Sequence, residues 1–143
     1  MPNAKQIKQL KIDLKHSDIL QRYGRRFALI SNNCCNLSEE FIEFYINKLD
    51  LTLVIKHNKL SEKFIDKYAN KLNWYALCKY QNLTEYILNK YSTRLNWPLV
   101  CKYQHLTESF IAQYKDKIIW SNLKMNTKIP YHELIKFCNK YEN

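Results

Sequence analysis

Apolar positions recur along this chain with a period of 23 residues and no slip in register. A Leu or Ile anchor stands at Leu37, Leu60, Leu83, Leu106 and Ile129. In the first four copies a hydroxyl residue and a glutamate follow: Ser38-Glu39, Ser61-Glu62, Thr84-Glu85 and Thr107-Glu108. Fourteen residues beyond the anchors lie Leu51, Trp74, Trp97 and Trp120, so the three tryptophans share one repeat position. Self-similarity at a fixed period of this size marks stacked supersecondary units. The copies occupy residues 37–59, 60–82, 83–105 and 106–128, with a half copy at 129–143. Residues 14–36 form a degenerate copy, in which Ile19, Leu20, Tyr23, Phe27 and Leu29 match Phe41, Ile42, Tyr45, Leu49 and Leu51 at a spacing of 22. The chain reads as one helical repeat domain over 1–143, with 1–36 as a basic N-terminal segment and degenerate repeat.

Each copy predicts two helices. The Ser or Thr is an N-cap, because its hydroxyl can accept from the N2 or N3 amide. The glutamate after it faces the positive end of the helix dipole. Leu37/Ile42, Leu60/Ile65, Leu83/Leu88 and Leu106/Ile111 form hydrophobic staples around the cap. Phe64, Ile65, Tyr68 and Leu72, and likewise Phe110, Ile111, Tyr114 and Ile118, then draw one apolar stripe. This predicts a first helix of about 12 residues. Asn73 and Asn96 cap a second helix of roughly 8 residues, with Trp74, Leu77 and Cys78, or Trp97, Val100 and Cys101, turned inward. Pro98 falls in its first turn, where the missing N–H is harmless. Neither helix is long enough to stand alone in water. Stacking buries the faces, so the expected fold is an all-α solenoid of short helix-turn-helix repeats with degenerate capping repeats at both ends. Ile7, Leu10, Ile12 and Leu14 draw no clean stripe, and Pro130 replaces the capping hydroxyl in the last copy.

Composition agrees with helices. A single glycine, Gly24, leaves little for tight hairpins or phosphate-cradling loops. The formal charge is +10. In residues 1–36, Lys5, Lys8, Lys11, Lys15, Arg22, Arg25 and Arg26 outnumber Asp13 and Asp18. Such an excess suits anionic partners. No secretory leader or apolar run of membrane-spanning length is expected from the pattern. The five cysteines, Cys34, Cys35, Cys78, Cys101 and Cys138, show no zinc spacing. Cys78 and Cys101 share a repeat position with Ile55 and read as small core hydrophobes, which points to a reducing compartment.

The motif Leu-Ser/Thr-Glu-x-Phe-Ile, then Tyr, Leu-Asn-Trp and Cys-Lys-Tyr-Gln, resembles tandem helical repeats of large nucleocytoplasmic DNA viruses, the marseillevirus and mimivirus groups among them. The resemblance covers residues 37–128. It implies an intracellular protein of an infected cell, in the host cytoplasm, the nucleus or the virion, with no defined activity and no catalytic residue to carry over. The first copy departs from the motif with Leu51 and His57, the fourth with Lys124-Met125-Asn126.

Two ladders of cations follow the period. Lys56, Lys79 and Lys102 lie opposite the inward stripe of the second helix, with Tyr80 and Tyr103 beside the last two. Lys48, Lys71, Arg94 and Lys117 lie at the end of the first helix, where cations suit the dipole. Lysines with interleaved aromatics can track a polyanion and stack on bases; solvation and dipole compensation explain the same pattern. His16, His57, His105 and His132 form no i, i+3 or i, i+4 metal pair. Cys34-Cys35 is a redox candidate if exposed. Nothing in the chain matches a phosphate loop or nucleophile motif. The expected function is non-catalytic and without cofactor or metal: a scaffold for protein–protein interaction, with nucleic-acid binding through the lysine ladders as the alternative. Self-assembly would follow from apolar faces left open on the end copies.

Overall fold

The computed structural model describes residues 1–142, so the last residue of the expected half copy lies outside it. Among the described residues all regular structure is helical. The architecture is an all-α helical-repeat solenoid in which short helix pairs follow one another in series. The chain divides into two units, residues 1–64 and residues 65–143.

The first unit holds α1 (Ala4–Lys15), α2 (Ser17–Tyr23), α3 (Phe27–Asn33), α4 (Glu39–Phe44) and α5 (Leu51–His57). Helix α1 packs on α2 and α4, and α3 packs on both α2 and α5. The pattern of apolar residues gave no sign of α1, because Ile12 alone on it is buried. What starts it is a capping box: Asn3 accepts from the Gln6 amide at 2.9 Å, and Gln6 accepts from the Asn3 amide at 2.8 Å. Asp13 then anchors the helix, accepting from the Tyr45 hydroxyl at 2.6 Å and from Arg25 at 2.7 Å.

Helix α6 (Glu62–Lys67) spans the junction. The second unit holds α7 (Trp74–Tyr80), α8 (Glu85–Lys90), α9 (Trp97–Tyr103), α10 (Glu108–Gln113), α11 (Trp120–Leu123) and α12 (Tyr131–Tyr141). The second helices form one row, α7 on α9 and α9 on α11, while α10 packs on α12. The core is the double stripe: Ile87, Leu88, Phe110 and Ile111 from first helices, with Leu77, Cys78, Val100 and Cys101 from second ones.

The caps fall where the sequence places them. Ser38, Ser61, Thr84 and Thr107 each accept from the amide three residues on. Asn73 and Asn96 do the same for α7 and α9. The first helix, however, is six residues long and not about 12. At Tyr45, Tyr91 and Tyr114 the backbone leaves the helix with φ between −104° and −112°. A tight turn then closes on the tyrosine carbonyl. The Tyr114 carbonyl accepts from Lys117 at 2.8 Å and from Ile118 at 3.2 Å. The apolar stripe survives because the turn returns Leu49, Leu95 and Ile118 to the core.

Three kinds of contact join consecutive repeats. The first is a buried side-chain amide. Gln104 accepts from the Leu83 amide at 2.9 Å and donates to the Cys78 and Gln81 carbonyls at 2.8 and 2.7 Å. Asn58 accepts from Leu37 and donates to Cys34 of the preceding copy, and also to Val54 of its own helix. Asn126 donates to Cys101 and Gln104 but accepts from Lys128 and Ile129 of its own turn. These groups satisfy carbonyls that the second helix leaves open at its end. The second contact joins the glutamate at the start of one first helix to the capping hydroxyl of the next repeat. Ser61 donates to Glu39 through its amide at 2.5 Å and its hydroxyl at 2.9 Å, and Thr107 donates to Glu85 at 2.9 Å. His16 stands 23 residues before Glu39 and accepts from the Ser38 amide at 3.2 Å, so the degenerate copy keeps the link with an imidazole. The third is a tyrosine hydroxyl: Tyr91 donates to Asp66 at 2.6 Å and Tyr114 to Asn89 at 3.0 Å.

One inward repeat position differs from expectation, and another is buried as expected but also hydrogen-bonded. The tryptophans are half-buried. Trp74 and Trp97 lie against the tyrosine of the following repeat, with ring centroids 4.8 Å from Tyr91 and 5.2 Å from Tyr114. A ring this large, at the first position of a seven-residue helix, reaches beyond the buried stripe. Cys78 and Cys101 are buried but are not mere hydrophobes. Their sulfurs accept the Asn96 and Ile119 amides, and burial pushes both thiols up.

Candidate functional site

Most recurring polar residues are used in joining repeats, so a binding surface must be sought among those that point away. The row of second helices supplies it. In the second unit, segments 74–82, 97–105 and 120–128 contain no Asp or Glu at all, yet carry Lys79, Lys102, Lys124 and Lys128. Acidic residues of this unit, Asp66, Glu85, Glu108, Asp116, Glu133 and Glu142, all lie on first-helix segments.

Three of those acids pair with lysines. Lys90 pairs with Asp66 at 2.8 Å, Lys124 with Glu142 at 2.7 Å, and Lys136 and Lys140 with Glu108 at 3.2 and 2.8 Å. Lys128 reaches across two repeats to the Asn82 side chain. Lys79 and Lys102 meet tyrosines instead. The Lys79 ammonium lies 5.2 Å from the Tyr80 ring centroid and 6.0 Å from that of Tyr75. Lys102 lies 5.3 Å from that of Tyr103. A hydrogen bond with Tyr80, then the nearby hydroxyls of Tyr75 and Tyr103, push the Lys79 ammonium above the usual lysine range. Helix α7 packs on α9, which sets these groups on neighbouring helices. Tyr75 and Tyr80 remain 52% and 40% exposed, enough to offer ring faces to a partner. The row ends at the fourth copy, where Met125 stands exposed in place of the next lysine.

The structure thus brings together Lys79, Tyr80, Lys102 and Tyr103, and adds Tyr75 from one turn earlier on α7. Lys56 sits exposed on α5 of the first unit. The other expected ladder is exposed along its length, and three of its members touch rings or a carbonyl of neighbouring residues. Its members lie in the turn after the first helix, not on its last turn. Lys48 lies 5.5 Å from the Phe27 ring centroid, and Lys117 lies 5.6 Å from that of Trp97. Arg94 donates to the Ala69 carbonyl at 3.1 Å, beside the Trp74 indole N–H that donates there at 3.0 Å. Lys71 is exposed in the corresponding turn. The absence of acidic residues from the second helices was visible in the sequence as a charge pattern, and it singles out the first ladder where lysine spacing alone does not.

Other chemistry is limited. Cys34 is buried and Cys35 exposed; burial raises the Cys34 thiol, which lowers its thiolate fraction at neutral pH. Among the described residues no three His, Cys, Asp or Glu side chains gather as a metal site, and no helix is long and apolar enough to cross a membrane. No known protein family, curated protein or solved structure matches the chain.

Proposed function

We propose that this chain is a non-catalytic helical-repeat scaffold that mediates protein–protein interaction through the outward face of its second helices. The observation that supports the reading is the acid-free row of α7 and α9, where the half-buried Lys79 and Lys102 lie among Tyr75, Tyr80 and Tyr103. Tyrosine suits such a surface because it offers an apolar ring and a polar tip at small conformational cost. The charge selects acidic protein segments. The resemblance of the repeat motif supports placing the protein in cells infected by a large DNA virus. A panel of acidic and neutral peptides of defined sequence tests the reading on the full chain. Acidic peptides should bind, and Lys79→Glu with Lys102→Glu should release them. A panel that binds wild type and variant alike rejects the face.

The same segments favour a second reading, a nucleic-acid-binding protein. Phosphates meet no carboxylate on this row, and the chain carries a net +10. Retention of DNA that falls steeply with salt supports it; no retention at low salt ends it.

A further inference from the structure

We propose that the α7–α9 face binds single-stranded nucleic acid without sequence preference, holding phosphates on Lys79 and Lys102 and bases against Tyr75 and Tyr80. The proposal rests on the second of the two readings above and gives it a ligand form and a footprint.

Three features select a single strand. The first is the geometry of the support. Helices α7 and α9 are seven residues each and lie side by side. Neighbouring helices pack about 8–10 Å apart. Such a surface presents no projecting helix to enter a major groove, which is how helical proteins read a duplex.

The second is the aromatic content. Tyr75 and Tyr80 are the exposed rings next to Lys79, and a ring serves as a stacking platform only for a base that is not already paired and stacked. Duplex DNA would leave both rings unused.

The third is the choice of cation. Both positions are lysine, a point charge that follows a backbone, and not arginine, whose fork reads guanine edges. The side-chain amide that recurs beside them, Gln104, is buried and fully engaged, so it is not offered to a base edge. Charge without edge-reading groups gives affinity without sequence preference.

The local field agrees. The carboxylates nearest in sequence, Glu85 and Glu108, are engaged by Thr107 and by Lys136 and Lys140. A strand laid over α7 and α9 therefore meets one sign of charge.

The test is fluorescence anisotropy of labelled oligothymidylate with the full chain, between about 50 and 200 mM salt. Affinity should fall with salt, and Lys79→Gln with Lys102→Gln should reduce the log–log slope by about 1.4, since each single-strand phosphate contributes about 0.7. Tyr80→Leu should weaken binding about tenfold and leave the slope unchanged, as lost stacking does. Circular dichroism melting of each variant separates lost binding from lost fold. An unchanged slope in the folded lysine variant overturns the proposal. So does a duplex of matched length that binds as tightly as the single strand. Polyglutamate binding without oligonucleotide binding overturns it too and leaves the protein-scaffold reading standing; binding to neither removes both.

Discussion

The Gln104 side chain holds the Leu83 amide at 2.9 Å, and the two residues are 21 positions apart in the chain. With its other end Gln104 donates to the Cys78 and Gln81 carbonyls, so one buried amide ties two carbonyls of the preceding repeat to the first amide of its own. Each such group costs about 1–3 kcal/mol when left buried and unpaired. Gln104→Ala should therefore destabilise the fold by about 3–5 kcal/mol in urea unfolding. Gln104→Glu is the sharper variant. Its shape is retained, but a carboxylate cannot donate to the two carbonyls, so it should also destabilise at neutral pH and recover in part at acid pH. A loss below about 1 kcal/mol in both would mean that water replaces the clamp.

The tryptophan column makes a smaller contribution than its periodicity suggests. Trp97 is half-buried against Phe110 and Tyr114, with centroids at 6.0 and 5.2 Å, and Lys117 lies over its ring. Removing a fully buried tryptophan costs about 3–5 kcal/mol. Trp97→Ala should cost about 2 kcal/mol, and Trp97→Phe less, measured as a shift in urea midpoint at constant slope.

Glu108 sets a pH dependence. Lys140, Lys136 and Tyr141 of α12 hold its carboxyl down to about 2, against about 4.3 in an unfolded chain. A group whose pKa is depressed by folding stabilises at pH above its unfolded value and loses that contribution as pH falls toward the folded one. The difference in melting temperature between wild type and Glu108→Gln should be largest above about pH 5 and should vanish near pH 2. Because the cluster sits at the surface, added salt should reduce it. A difference that stays constant over that range would assign Glu108 no electrostatic role.

Caps, staples and stripes were legible in the sequence because each depends on residues within one turn of each other. Ser38, Ser61, Thr84 and Thr107 need only a nearby amide, and Asn73 and Asn96 likewise. The early end of the first helix was not legible. Tyr45, Tyr91 and Tyr114 look like helix-stripe residues, and what turns the chain there is closure onto their own carbonyls. Gln104 and Asn58 were not singled out, although they stand two full periods apart; their use is set by the repeat before them. The same is true of Glu39 and Glu85, which act on the next cap as well as on their own helix. For the candidate surface, Lys79, Lys102, Tyr80 and Tyr103 were picked out by period alone. Lys48, Arg94 and Lys117 had the same period; what distinguishes them is that their segments also carry acidic residues, whereas segments 74–82 and 97–105 carry none.

Whether the second helices carry the function is tested most directly by reversing their charge. The full chain and its Lys79→Glu, Lys102→Glu double variant are titrated with an acidic peptide and with oligothymidylate, and both proteins are melted in the same buffer. The account predicts that the variant melts within a few degrees of wild type and loses at least tenfold in affinity for whichever ligand the wild type binds. Equal affinity of two equally stable proteins would contradict it.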